Sequence, residues 1–170
     1  HDASSQSILI TDSAALADAV TESIEDLMDQ LPRCDIAMRS WDNHGAIILV
    51  DTMERAVELV DRIAPEHLEL AVENPEFFAS RITHAGAIFL GRHTPEAIGD
   101  YIAGPNHVLP TTQSARYSSG LGVIDFMKRT TMVSCDSEAL SRIGPAAVTL
   151  AEAEGLEAHA RSVSIRLEKD

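Results

Sequence analysis

Cysteine is nearly absent. The 170 residues hold two, Cys34 and Cys135, far apart and in no CxxC pair. Two isolated thiols exclude a disulfide framework and point to a reducing compartment, so a cytoplasmic setting is expected. Positive charge is also scarce: 13 Lys+Arg stand against 27 Asp+Glu, a formal net charge of -14. So acidic a chain lacks the basic footprint of a nucleic-acid binder and is a poor match for an anionic membrane surface. No apolar run reaches the roughly 18 residues of a membrane helix, and no stretch reads as a signal peptide. GxGxxG, P-loop, GxSxG and HExxH patterns are missing as well, so the segment carries no nucleotide fingerprint and none of these catalytic signatures. Gly120-Leu121-Gly122 lacks the third glycine and an evident following helix.

What remains is ordinary globular composition, 45% hydrophobic and 24% charged. The length corresponds to one domain, or one plus a small appendage, and suffices for a core without staples. The acids cluster in the first 76 residues, interleaved with apolar ones, as on solvated helix faces. The chain begins at His1, not Met, and enters a strand-like run within a few residues. It reads as a piece of a longer protein.

Apolar runs alternate with amphipathic segments. Ile8 to Thr11, Ala46 to Val50, His67 to Leu70 and Ala85 to Gly91 read as strands. Helices are predicted from Asp12 or Ser13 to about Gln30, around Asp35 to Trp41, over Thr52 to Ile63, and over Pro75 to Ile82 with proline in the first turn. One or two helical turns are predicted over Thr94 to Tyr101. Strands separated by helices predict an α/β fold with a largely parallel sheet. Ala103 to Thr112 is a Gly/Pro-punctuated polar loop, and Ser118 to Gly122 is the best candidate boundary. Beyond it, Asp136 or Ser137 caps a helix to about Glu154, Gly155 stops it, and Val163 to Leu167 alternates like a strand. The reading is therefore an incomplete parallel-sheet domain segment over 1–121, followed by a small helical and extended tail over 122–170. A tail that small is expected to pack on something else, another subunit included.

Three polar groups can carry chemistry. Glu66-His67 follows the helix-breaking Pro65. An adjacent carboxylate and imidazole can serve two different proton transfers, although on a strand they point to opposite sides. An exposed surface pair is the plainer alternative. Gly99-Asp100-Tyr101 with Asn106-His107 sits in or beside the loop, where Asp100 and His107 suit Zn²⁺ or another divalent ion. Two ligands do not make a site, and a solvated loop is the alternative. Glu154 and His159 lie at a helix end, where His159 can act as a C-terminal cation on the dipole or as a ligand. His1 is a ligand candidate only together with upstream chain. His44, His84 and His93 have no partner pattern.

In this order and spacing, Ala64-Pro65-Glu66-His67-Leu68-Glu69, Gly99-Asp100-Tyr101, Gly104-Pro105-Asn106-His107-Val108-Leu109-Pro110-Thr111, Ser118-Ser119-Gly120-Leu121-Gly122 and Ala151 to Ala160 resemble the C-terminal part of the histidinol dehydrogenase family. The resemblance runs from His1 to Leu167. It implies a Rossmann-like sheet domain and a tail that makes a homodimer contact. It also implies a zinc-dependent oxidation of L-histidinol to L-histidine through histidinaldehyde, with two NAD⁺. Carried over, His67 matches the base that takes the hydroxyl proton, and Glu66 the base that activates water. Asp100 and His159 match zinc ligands, one Zn²⁺ per site, and His1 looks like the end of the motif supplying a third. His67, Asp100, His107, Glu154 and His159 match substrate-site residues, with the tail reaching into the partner subunit's site. The nicotinamide-binding domain lies upstream in the family, so the 170 residues alone are expected to show no NAD-dependent turnover. Rival readings are a family relative acting on another small alcohol or diol, and a non-catalytic metal-binding or dimerisation fragment.

Overall fold

Four short runs, three of them apolar and one alternating, become strands because each is bracketed by helix and loop signals. In the computed structural model, which describes residues 2–168, they are β1 (Ile8–Thr11), β2 (Ala46–Leu49), β3 (His67–Leu70) and β4 (Ala87–Leu90). His1, a predicted ligand, lies outside the described residues. Around the strands run α1 (Ala14–Met28), α2 (Cys34–His44), α3 (Met53–Ile63), α4 (Pro75–Ala79) and α5 (Glu96–Tyr101), then single turns at Ser114–Arg116 and Val123–Phe126. Ser13 caps α1, its side chain accepting from the Leu16 N–H. Pro75 opens α4, where its missing N–H costs nothing.

β1 pairs with β2 in parallel, Ile8 opposite Ala46, and β3 pairs with β4 in parallel, His67 opposite Ala87. The alternation of strands and helices predicts one parallel sheet. Among the described residues there are two separate two-stranded sheets instead. A right-handed crossover needs only two strands, and the hydrophobic pattern does not say which pairs share a sheet. The mixed α/β class stands.

The chain divides into two compact units, His1–Phe126 and Met127–Asp170. In the first, the buried apolar positions are few: Ala56, Val60 and Ala64 on or just after α3, Leu70 on β3, and Phe89 on β4. They sit where α3 delivers the chain into β3. Ala64 ends α3 in the left-handed conformation, φ 49°, with its N–H on the Val60 carbonyl at 2.7 Å. A buried non-glycine residue there stores backbone strain directly before Pro65-Glu66-His67. Asp61 Oδ1 accepts from the N–H groups of Thr83 and His84, both at 2.8 Å, and so ties α3 to the approach of β4.

Gly86 closes the other side. Its N–H donates to Pro65 and the Ala87 N–H donates to Glu66, both at 2.9 Å. A Cβ at Gly86 would stand 2.5 Å from the Glu66 carbonyl oxygen, a backbone atom that cannot swing away. Gly86→Ala is therefore expected to destabilise the protein by about 1–3 kcal/mol, as overpacking does. A denaturant titration checks this: a lower midpoint at unchanged slope is expected, and an unchanged midpoint refutes the constraint.

The second unit is helical: α6 (Ser137–Ala153) and α7 (Glu157–Leu167). Asp136 caps α6 by accepting from the Ala139 N–H at 2.8 Å. Gly155, at φ 72°, ends it, with the Gly155 N–H on Glu152 and the Leu156 N–H on Ala151. Val163 to Leu167 is the last part of α7, not the predicted strand. Val163 and Leu167 are four apart, a spacing that serves a helix face as well as an alternation. Both lie against Gly144 of α6, where a Cβ would meet them at 3.2 and 3.1 Å. Among the described residues no helix is long and apolar enough to cross a membrane.

Candidate functional site

Strand periodicity puts His67 and Glu69 on one face of β3, and the register places Ala87 and Phe89 opposite them on that face. His67 and Phe89 form a tilted ring pair, centroids 5.9 Å apart. α5 crosses the same face. Its Gly99 lets it approach Phe89: a Cβ there would stand 2.3 Å from the ring. The start of the helix is fixed by Glu69, whose Oε1 accepts from the Glu96 backbone N–H at 2.7 Å. Glu96 and Asp100, four apart and hence on one face of α5, then both turn to His67.

The result is a convergence of an imidazole and two carboxylates. His67 Nε2 is 3.6 Å from Asp100 Oδ1 and 3.9 Å from Glu96 Oε1, both too long for a hydrogen bond. The Nε2 atom itself is buried and has no hydrogen-bond partner. Buried polar atoms are almost always satisfied, so an orphaned one marks a place meant for another group. The Glu96 carboxyl is held above its ordinary range, first by burial, then by its hydrogen bond and like charge toward Asp100. All three side chains offer ligand atoms within 4.8 Å of one another and could hold a metal ion. The same set would equally receive the polar hydrogens of an alcohol or amine.

A cleft of about 220 Å³ opens beside this cluster, walled in part by Phe89, Asp100, Asn106 and His107. The Asn106 side chain accepts from the Val108 N–H at 2.7 Å and so turns the loop that carries the exposed His107. Glu66 precedes β3 in a bend and is half-buried. Its carboxylate is not among the three converging groups.

Glu154 and His159 belong to the second unit. Glu154 is the C-cap of α6, its N–H on the Leu150 carbonyl at 3.0 Å. His159 is exposed and stands in the first turn of α7, its N–H on Leu156 at 2.9 Å. The expected C-terminal dipole cation is thereby corrected. Gly155 and Leu156 end one helix and start another, so His159 faces the positive end of a dipole, where a cation gains nothing.

Glu96, Glu69 and Phe89 were not legible as site residues from motifs alone. The signals were present in spacing: Glu96 one turn before Asp100, and Glu69 two residues after His67 on the same strand face.

The profile of the histidinol dehydrogenase family matches residues 1–167. The histidinol dehydrogenase of Rhodospirillum rubrum is 64% identical over 170 residues, covering 99% of this chain and 39% of that protein. That of Zymomonas mobilis is 60% identical over 169 residues, again 99% of this chain and 39% of the relative. The crystal structure of histidinol dehydrogenase from Elizabethkingia anophelis superposes with a TM-score of 0.85 at 39% identity, covering 99% of this chain and 39% of that one. The chain thus spans about two fifths of the length of these relatives, and by both sequence and structure it belongs to the histidinol dehydrogenase family.

Proposed function

We propose that this chain is the catalytic C-terminal part of a cytoplasmic NAD-dependent, zinc-containing oxidoreductase that converts L-histidinol to L-histidine through histidinaldehyde, a late reaction of histidine biosynthesis. The observation that carries the reading is the buried, unpartnered His67 Nε2 facing two carboxylates, one of which, Asp100, lines a cleft.

Oxidation of an alcohol requires removal of its hydroxyl proton, and an imidazole nitrogen with no competing hydrogen bond is available for it. His67 takes that proton at Nε2. The neighbouring carboxylates stabilise the imidazolium that results. Glu66, in the bend before β3, takes a proton from the water that hydrates the aldehyde, readying it for the second oxidation. His107, from the lining of the cleft, and Glu154 contact the cationic, imidazole-bearing substrate. NAD⁺, held mainly by residues outside this chain, would supply the hydride acceptor for each of the two oxidations. The donor set fits a divalent ion: Asp100 offers an oxygen, and His159 and His1 offer nitrogens, a mixture suited to zinc. These residues would hold one Zn²⁺ per site, which would supply a charge to orient the substrate.

The sheet pairs with their crossovers are read as parts of a Rossmann-like domain over 1–121, and 122–170 as a tail contacting the second subunit of a homodimer. Supporting a covered surface, Ile124, Phe126, Met132 and Val133 are each about 80–90% exposed here. The test counts NADH formed per L-histidinol consumed by the full-length polypeptide with zinc. Two is expected. One reduces the reaction to a simple alcohol oxidation and removes Glu66 from the chemistry. None, with zinc bound, points to a different small alcohol.

A further inference from the structure

Helix α5 delivers Asp100 and Glu96 to His67, yet six residues do not fix a helix in place by themselves. Its N-cap position is Pro95, which provides no side-chain hydrogen bond. The first turn is held from outside, by the Glu69 carboxylate on the Glu96 N–H at 2.7 Å, across 27 residues of chain. Glu69 lies on the same strand as His67, two positions on and on the same face. The strand that carries the imidazole therefore also holds the helix that carries the carboxylates. We propose that Glu69 is a positioning residue: its hydrogen bond to the Glu96 amide sets α5 so that Asp100 and Glu96 converge on His67, and it thereby tunes metal retention through Asp100.

The Asp100 part rests on the metal reading above. A charge-assisted bond from a carboxylate to a backbone N–H is short and about twice as strong as a neutral one, so it can hold a partly exposed helix end. Glu69 touches neither substrate nor reacting atoms in this scheme. It acts through the backbone of Glu96. Outer-shell partners of metal ligands, when removed, typically cost about 10–100-fold in affinity.

The test compares Glu69→Ala, Glu69→Gln and Asp100→Asn in the full-length protein, with Zn²⁺ alone as the probe. Three quantities are read: zinc affinity by competition with a chelator, amide exchange of the peptide spanning residues 94–102, and the melting temperature. Glu69→Ala is expected to weaken zinc about tenfold and to speed exchange at the start of α5 about tenfold or more, with the melting temperature nearly kept. Glu69→Gln retains an acceptor oxygen and is expected to return both to within about threefold of the parent protein. Wild-type exchange and zinc affinity in Glu69→Ala overturn the proposal. So does a Gln variant as weak as the Ala variant, which would make the negative charge, not the bond, the cause. A melting temperature that collapses in both variants would reduce Glu69 to a stability residue and overturn it as well. Zinc affinity unchanged in Asp100→Asn would sink the ligand assignment instead. The exchange data then decide alone: fast in Ala and normal in Gln supports the positioning, and no change refutes it.

Discussion

His67→Asn in the full-length enzyme is expected to lower kcat for L-histidinol by about 10²–10⁴-fold, the contribution typical of a general base. Asparagine keeps the approximate size of the side chain and can still contact Phe89 and the carboxylates. It has no nitrogen that accepts a proton at neutral pH. Zinc content and KM are expected to change little, because in this scheme His67 moves a proton and holds no metal. Glu66→Gln divides the reaction differently. The first oxidation proceeds and the second stalls, so histidinaldehyde accumulates and NADH per histidinol falls from two toward one. Stopped-flow NADH traces with an aldehyde trap separate the two steps. A His67→Asn enzyme within tenfold of the parent would remove His67 from the role of base. A Glu66→Gln enzyme that matches the parent on histidinaldehyde would remove Glu66 from the hydration step.

These assignments were partly written in the order of residues. The break at Pro65 and the polar loop around Asn106-His107 are local features, and local features are what a sequence displays. The elements they separate followed the predicted strands and helices closely, because capping by Ser13 and Asp136 and the stop at Gly155 act within a few residues. The failures came where long-range choices decide. Which strands share a sheet depends on partners, not on apolar runs. Val163 to Leu167 satisfies two periodicities at once, and packing of Val163 and Leu167 on Gly144 selects the helix. Glu96 and Glu69 belong to the site through contacts across 29 and 27 residues, and no adjacent-residue motif encodes that. Their fixed offsets, one helical turn from Asp100 and one strand repeat from His67, become informative only once β3 and α5 are known to face each other.

The tail calls for a test that a single mutant cannot provide. His159→Ala in the full-length enzyme is expected to lose zinc and activity together, since removal of one of few metal ligands takes the affinity with it. Full zinc retention would end the ligand assignment. Loss alone, however, would not say whose site the tail serves. Mixing two inactive variants does. In a two-fold dimer formed from one His67→Asn subunit and one His159→Ala subunit, a tail that crosses to the partner leaves one site with both native residues and one with neither. A tail that serves its own subunit leaves each site with one defect. Random reassociation of equal amounts puts half the molecules in mixed dimers, so crossing tails restore about one quarter of the parent activity and non-crossing tails restore none. Zinc does not follow the same arithmetic: every site that receives a native His159 keeps the metal, so half of all sites hold zinc whichever subunit the tail serves, and activity alone reports the crossing. Recovery of activity without that metal would separate His159 from zinc while keeping the tail in the partner's site. Absence of any recovery, with mixed dimers demonstrated by mass, would confine the tail to its own subunit.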